Sequence, residues 1–194
     1  MSDQAEASVR LNQARALLSD SQAHPKLIEI LNKNNNTTAK IFICRAIASR
    51  SGEILPLNGS QVLPESFIDP LFKTLFSENT ELSSWSAQAI ASCQSHPVVE
   101  RLRLLVADET QSLTYRLAGI SALELMTGKE PVLALGALLN DKDPQIQNQA
   151  ALSLASILGA SKPVTAEQFT NQYQPQIQKM DDTSYLRWQL VLKQ

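Results

Sequence analysis

The sequence contains few glycine, histidine, cysteine and aromatic residues. Of its 194 residues, 6 are glycine, 2 are histidine and 2 are cysteine, and aromatic residues make up 5%. A β-rich fold would need more glycines in its turns, so this composition favours helices. No stretch approaches the roughly 20 consecutive apolar residues that a membrane-spanning helix needs.

Charge of one sign is not in excess either. The chain has 17 Lys and Arg against 19 Asp and Glu, for a net charge of −2, and no run of five like charges. A protein that grips DNA through its backbone typically neutralises roughly 6–10 phosphates, which requires a basic face. We therefore do not expect nucleic acid as a partner.

The ends of the chain and its cysteines bear on the compartment. The first residues, MSDQAEASVR, lack the apolar core of a signal peptide. Cys44 and Cys93 lie far apart within apolar helical patterns, which predicts buried free thiols, with a disulfide as the alternative. We expect a cytoplasmic protein, or a domain of a larger chain.

A helical pattern recurs along the chain. From Ile146, small or apolar residues follow at offsets 4, 7, 8 and 11, which places them on one face of a helix. The same pattern begins at Ala39, where Arg50 breaks it at offset 11, and at Leu82 and Tyr115. Its four origins are therefore 43, 33 and 31 residues apart. The first interval is longer because residues 51–64, rich in Gly, Asn, Ser and Pro, form a predicted inserted loop.

Prolines mark another set of helices, each of which precedes one of the four patterned helices. Each of four prolines precedes an apolar run: Pro25, Pro64, Pro97 and Pro131. Proline suits the first turn of a helix, so each apolar run is predicted to be the first helix of a pair. The patterned helix that follows it is then the second helix of that pair. Where Pro70 follows Pro64, the helix either kinks or starts after Asp69 as its N-cap. A lone helix pair cannot bury its apolar face, which predicts that the pairs stack into a superhelix.

The whole chain, 1–194, is predicted to form a single domain. Residues 3–19 form a predicted N-terminal capping helix, and residues 24–159 form four helix pairs. Residues 165–194, with segments at 165–180 and 183–193, form a divergent fifth pair or a C-terminal cap, with Pro175 interrupting the first segment.

Two segments resemble a known repeat. LLNDKDPQIQNQAALSLASILG and YRLAGISALELMTG are similar to short HEAT repeats of the phycobilisome-lyase type, including Arg116 after the helix's first apolar position. This resemblance implies an all-α fold, a right-handed, armadillo-like α-solenoid of about four to five helix pairs whose second helices line a concave face. The other pairs carry Lys40, Ser83 and Gln147 at the position of that arginine, so no continuous ladder of Asp–Arg contacts is expected.

Motifs for catalysis or metal binding are missing from the sequence. His24 and His96 each directly precede a helix-opening proline and are interpreted as polar residues at helix starts, the alternative being a shared metal or acid–base role. No ligand set has metal-like spacing, and no nucleophile motif occurs. We predict no catalytic residue, no cofactor and no metal.

The outward positions of the second helices are mostly uncharged amides and hydroxyls, which suit a protein or peptide partner. The predicted partner-binding residues are Phe42, Ser83, Trp85, Gln88, Arg116, Gln147 and Gln149. Phe42 and Trp85 occupy equivalent positions, either at the edge of the core or exposed as anchors for a partner.

These observations predict a non-catalytic scaffold or adaptor that binds a protein or peptide on the concave face. The resemblance also implies an alternative, a subunit of a bilin lyase or isomerase. A third interpretation, a HEAT-like nucleic-acid-binding protein, would need a basic groove. The sequence leaves the oligomeric state open.

Overall fold

The computed structural model describes residues 3–33, 36–49, 63–159 and 165–181. All regular secondary structure in these ranges is helical, which confirms the all-α prediction. The chain divides into an N-terminal unit, Met1–Cys93, and a C-terminal unit, Gln94–Gln194. Nearly all of the predicted loop at 51–64, and the predicted segment 183–193, lie outside the described residues.

The N-terminal unit contains five described helices. They are α1 (Asp3–Ser19), α2 (His24–Asn32), α3 (Thr37–Ala48), α4 (Ile68–Leu75) and α5 (Thr80–Ser92). Helix α3 packs between α1 and α5, while α2 packs against α4. Helix α5 also packs against α4, its partner in the predicted pair. The apolar faces enclose a core that includes Leu31, Ile47, Phe67 and Leu75, all nearly or fully inaccessible to solvent.

The C-terminal unit also contains five described helices. They are α6 (His96–Ala107), α7 (Leu113–Glu124), α8 (Lys129–Ala137), α9 (Pro144–Leu158) and α10 (Ala166–Gln178). Helix α7 packs against α6 and α9, and α8 packs against α9 and α10. Leu102, Ile120, Leu135 and Leu154 are fully buried between them.

Helices α3, α5, α7 and α9 begin with the same device, which α10 also has. In α3, α5, α7 and α9 the N-cap side chain accepts a hydrogen bond from a backbone N–H of the first turn, at 2.9 Å for Asn36, 2.8 Å for Asn79, 3.3 Å for Ser112 and 2.8 Å for Asp143. Such a cap satisfies a backbone donor that has no partner within the helix. These are the four helices whose patterns begin three residues later in the sequence.

Pro25, Pro70, Pro97 and Pro175 occupy two kinds of position, the first turn of a helix and the interior of a helix. Pro25 and Pro97 lie in the first turns of α2 and α6, as predicted. Helix α4 begins at Ile68, so Pro70 lies in its first turn and Asp69 is not the N-cap. The prediction that Pro175 interrupts its helix is wrong, because α10 continues through that residue to Gln178.

Helices α6 and α7 approach closely at Gly119. A Cβ atom at Gly119 would lie 2.7 Å from Cγ1 of Val106, which is itself fully buried. We expect Gly119→Val to lower the free energy of unfolding by about 1–3 kcal/mol through overpacking. Urea denaturation measures this loss.

The matched control is Ala118→Val, at the half-buried neighbouring position of the same helix. It carries only the helix-propensity cost of valine, less than about 1 kcal/mol. Equal losses in the two variants would show that close packing at Gly119 does not matter.

Among the described residues, no helix has the length and apolar character needed to cross a bilayer.

Candidate functional site

Three predicted partner-binding residues bond within their own helix pair. Each lies four residues after an N-cap. The Ser83 hydroxyl donates to the Leu75 carbonyl at 2.7 Å, the Arg116 Nε–H donates to the Val106 carbonyl at 2.8 Å, and the Gln147 amide donates to the Asp141 carbonyl. The Leu75 and Val106 carbonyls lie in the last turns of α4 and α6, where backbone acceptors lack helical partners. The Asp141 carbonyl lies in the turn between α8 and α9.

This geometry corrects the prediction for Arg116. The residue is only 5% exposed, so it does not face a partner. Its guanidinium also donates to both carboxylate oxygens of Asp141, and the two side chains are 6% and 7% exposed. Ser83 and Gln147 are half-buried, and a role for them in binding stays a prediction.

The carboxyl group of Asp141 is held in its charged form. Burial by itself would raise its pKa, but the hydrogen bonds from Arg116 and from the backbone N–H of Asp143, with the charge of Arg116, outweigh burial and lower the pKa. The pair therefore joins the start of α7 to the turn before α9 by a charged contact.

Lys40 occupies the position of Arg116 in α3 but has no such carboxylate. The residue is 7% exposed, its ammonium forms no ion pair with the described residues, and burial lowers its pKa. The turn before α5 has Ser77 and Asn79 where the turn before α9 has Asp141 and Asp143. The charge of Lys40 therefore costs stability that no counter-ion in the described part of the chain offsets.

We expect Lys40→Met to raise the free energy of unfolding by about 1 kcal/mol at neutral pH, because the apolar side chain needs no hydration. The native pKa of Lys40 lies below its pKa in the unfolded chain, so the wild type gains stability as the pH rises from the native to the unfolded value. The excess free energy of unfolding of the variant should therefore shrink towards about pH 10. Denaturant titrations at several pH values measure both effects. Lys73→Met, at an exposed position, serves as control; a destabilised Lys40→Met protein would contradict the expectation.

The cysteines are free thiols, as predicted. Cys44 is buried, and burial raises its pKa to about 11 even though the Ser86 hydroxyl lies 3.6 Å from its sulfur. Cys93 is half-buried, and burial raises its pKa to about 11 as well. A thiol with such a pKa holds little thiolate at neutral pH, so neither position is suited to nucleophilic catalysis.

The two histidines have different surroundings. The Nε2 atom of His24 lies 3.0 Å from the Leu18 carbonyl, and its ring meets the edge of Phe67 at a centroid distance of 5.3 Å. His96 is exposed, with its Nδ1 atom 3.0 Å from Glu130, which raises the pKa of His96 by hydrogen bonding and by charge. Within the ranges that the structure describes, no three His, Cys, Asp or Glu side chains are grouped as metal ligands would be.

The N-terminal unit brings three side chains together on α3 and α5. The guanidinium of Arg45 lies over the ring of Phe42, 5.5 Å from its centroid, and over the ring of Trp85, 5.0 Å from its centroid. Both distances are within the range of cation–π attraction. All three residues, which we call the Arg45 cluster, are half-buried, so each still reaches the surface.

A groove lies beside the Arg45 cluster, between α1, α3 and α5. Its lining side chains include Glu6, Arg10, Thr38 and Glu81, together with Phe42 and Arg45. Arg10 pairs with Glu6 on α1. The walls thus combine aromatic, cationic, anionic and hydroxyl groups.

The remaining predicted residues lie on second helices in both units. Gln88 lies on α5 and Gln149 on α9, and both are half-buried. Sequence reasoning missed the central place of Arg45. Its position three residues after Phe42, on the same face of one helix, was the available signal. The contributions of Glu6 and Arg10 depend on α1 packing against α3, which no local pattern predicts.

The chain was also compared with known proteins. No protein-family profile matches it, and no curated protein is significantly similar to it in sequence.

Proposed function

We propose that this chain is a HEAT-like repeat protein that binds a partner protein or extended peptide through the face formed by its second helices. In this proposal α2–α9 are four repeats, α1 and α10 cover the ends, and the stack is a right-handed solenoid. The repeated N-caps of α3, α5, α7 and α9 support it. So does the shared contact of Ser83, Arg116 and Gln147 with the end of the preceding helix.

The Arg45 cluster is the observation that carries the binding role. Trp and Arg are enriched among the residues that contribute most to protein–protein affinity, and here the guanidinium lies over the indole ring while both residues still reach the surface. The contacts with the two rings restrain the long Arg45 side chain, so less conformational entropy is lost when it binds a partner. The cysteines, with raised pKa values, offer no comparable basis for an enzyme.

Photo-crosslinking from single positions tests the proposal. A photoreactive phenylalanine analogue replaces Gln88 in α5 or Gln149 in α9, and the protein is irradiated in cells that produce the native chain. We expect both positions to give discrete crosslinked bands, each identified by mass spectrometry as the same partner.

Two control positions lie on first helices. Lys26 in α2 and Arg103 in α6 are exposed and paired with glutamates of their own helices. We expect little crosslinking from either. Equal crosslinking from all four positions, or none from Gln88 and Gln149, would contradict a binding face on the second helices.

A further inference from the structure

We propose that Arg45 and Arg15 form a carboxylate-binding subsite, so that the partner is a peptide segment carrying Asp or Glu at the point where it crosses α3. This inference rests on the proposed binding function and specifies the chemistry of what is bound.

Arg45 has unused hydrogen-bonding capacity. Its contacts with Phe42 and Trp85 involve the faces of the two rings, 5.5 and 5.0 Å from the guanidinium carbon. Its side chain donates no hydrogen bond and forms no ion pair among the described residues. A guanidinium carries five N–H donors in one plane, and a cation–π contact uses its charge without forming a hydrogen bond from any of them. Such a guanidinium suits two-point binding of a carboxylate.

Arg15 supplies a second cation nearby. This exposed residue of α1 donates from Nε to the Ser49 hydroxyl at 3.1 Å. Ser49 follows Arg45 by four residues, and residues at that spacing on a helix have Cβ atoms about 5–6 Å apart. Arg15 forms no ion pair with the described residues, whereas Arg10, one and a half turns earlier on α1, pairs with Glu6. The two arginines without a carboxylate partner are therefore neighbours on one surface.

The surrounding charges favour a peptide over a polyanion. Glu6 and Glu81 line the same groove as Arg45, and the whole chain has a net charge of −2. A nucleic acid would bring many phosphates past these two carboxylates, with repulsion at each. A peptide needs to place only one or two carboxylates against Arg45 and Arg15, while its apolar side chains contact Phe42 and Trp85.

A peptide selection that assumes no particular partner tests the proposed carboxylate subsite. Short random peptides displayed on phage are selected against the full chain, and the enriched sequences are synthesised with a fluorescent label for anisotropy titrations. We expect the enriched peptides to contain Asp or Glu well above its share in the library. Arg45→Gln should weaken binding by at least about tenfold, the loss expected from removing a charge-assisted two-point contact.

Three comparisons make the result specific. Arg103→Gln, which alters an exposed arginine of the C-terminal unit, should leave the affinity unchanged. Changing the peptide carboxylate to its amide should weaken binding to the wild type but have little further effect on Arg45→Gln, since both changes remove the same contact. Matching circular-dichroism melting curves of wild type and Arg45→Gln would show that the change does not act through folding.

The possible failures are distinguishable. Enriched peptides that lack acidic residues, the absence of any enriched peptide, or additive losses in the double change would each overturn the carboxylate subsite. Tighter binding of single-stranded oligothymidylate than of the selected peptides would overturn it in favour of a polyanion. Crosslinking from Gln88 and Gln149 decides the proposed binding function separately, whatever the chemistry of the peptide.

Discussion

Replacing Arg116 by alanine is expected to lower the free energy of unfolding by about 3–5 kcal/mol. The change leaves the Asp141 carboxylate, whose side chain is 7% exposed, without its cation. It also removes the donor that bonds to the Val106 carbonyl at 2.8 Å. A buried charge that has lost its counter-ion costs far more than the net stabilisation that the intact pair provides, even though Asp141 keeps the hydrogen bond from the backbone N–H of Asp143. Urea denaturation followed by circular dichroism measures the difference.

Arg103→Ala is the matched control for this substitution. Arg103 pairs with Glu100 on the surface of α6, and the two side chains are 48% and 43% exposed. Exposed pairs of this kind contribute about 0–1 kcal/mol, so the control should unfold almost as the wild type does. A loss below about 1 kcal/mol in Arg116→Ala would show that the pair is not an important internal contact.

The Arg116–Asp141 pair also predicts a change of stability in acid. Because the native pKa of Asp141 is lowered, its contribution to stability is complete above the unfolded value, about 3.9, and is lost as pH falls through the native pKa. The difference between wild type and Arg116→Ala should therefore narrow below about pH 4. If the difference in free energy of unfolding between wild type and Arg116→Ala stayed constant into strong acid, the effect of Arg116 would not depend on the charge of Asp141.

Phe67→Ala is expected to cost about 3–5 kcal/mol. The side chain is fully buried where the chain enters α4, and the edge of its ring contacts the His24 imidazole at a centroid distance of 5.3 Å. Its removal leaves a cavity between α2 and α4, which the surrounding helices can close only in part. Thermal and urea denaturation should both report the loss.

Phe42→Ala removes the same side chain from the surface of α3. Phe42 is half-buried, so the loss of burial and of its contact with Arg45 should cost only about 1–2 kcal/mol. It should nevertheless weaken peptide binding, whereas Phe67→Ala should bind normally wherever the protein remains folded. The reverse pattern, with stability lost at Phe42 and binding lost at Phe67, would assign the Arg45 cluster to the core.

The helices could be predicted because their signals are local. The apolar pattern from Ile146 and the N-cap at Asp143 both depend on residues a few positions apart, so they hold whatever the surrounding fold is. The prediction for Pro175 was wrong because it considered only the effect of proline itself. A proline lowers the chance of a helix, but the capping box at Thr165 and the burial of Phe169 and Ile177 favour continuing it.

The candidate site was less predictable because it depends on distant residues. The outward direction expected of Arg116 was wrong because the position four residues after an N-cap lies against the preceding helix, and only the packing of the pair shows this. Arg45 gained its place from Trp85, 40 residues away, and its neighbour Arg15 lies on a helix that no repeat pattern included. Surface clusters of this kind form only when separate helices meet.

The hydrogen bond from the position four residues after the N-caps of α5, α7 and α9 has a consequence for which residues this position can accept. Ser83, Arg116 and Gln147 differ in size and charge, yet each donates to a backbone carbonyl, which is present whatever residue carries it. The contact therefore requires a side chain that can donate a hydrogen bond over the right distance, and not one particular residue. Helix pairs can accordingly differ in sequence at this position while keeping the same junction with the chain that precedes them.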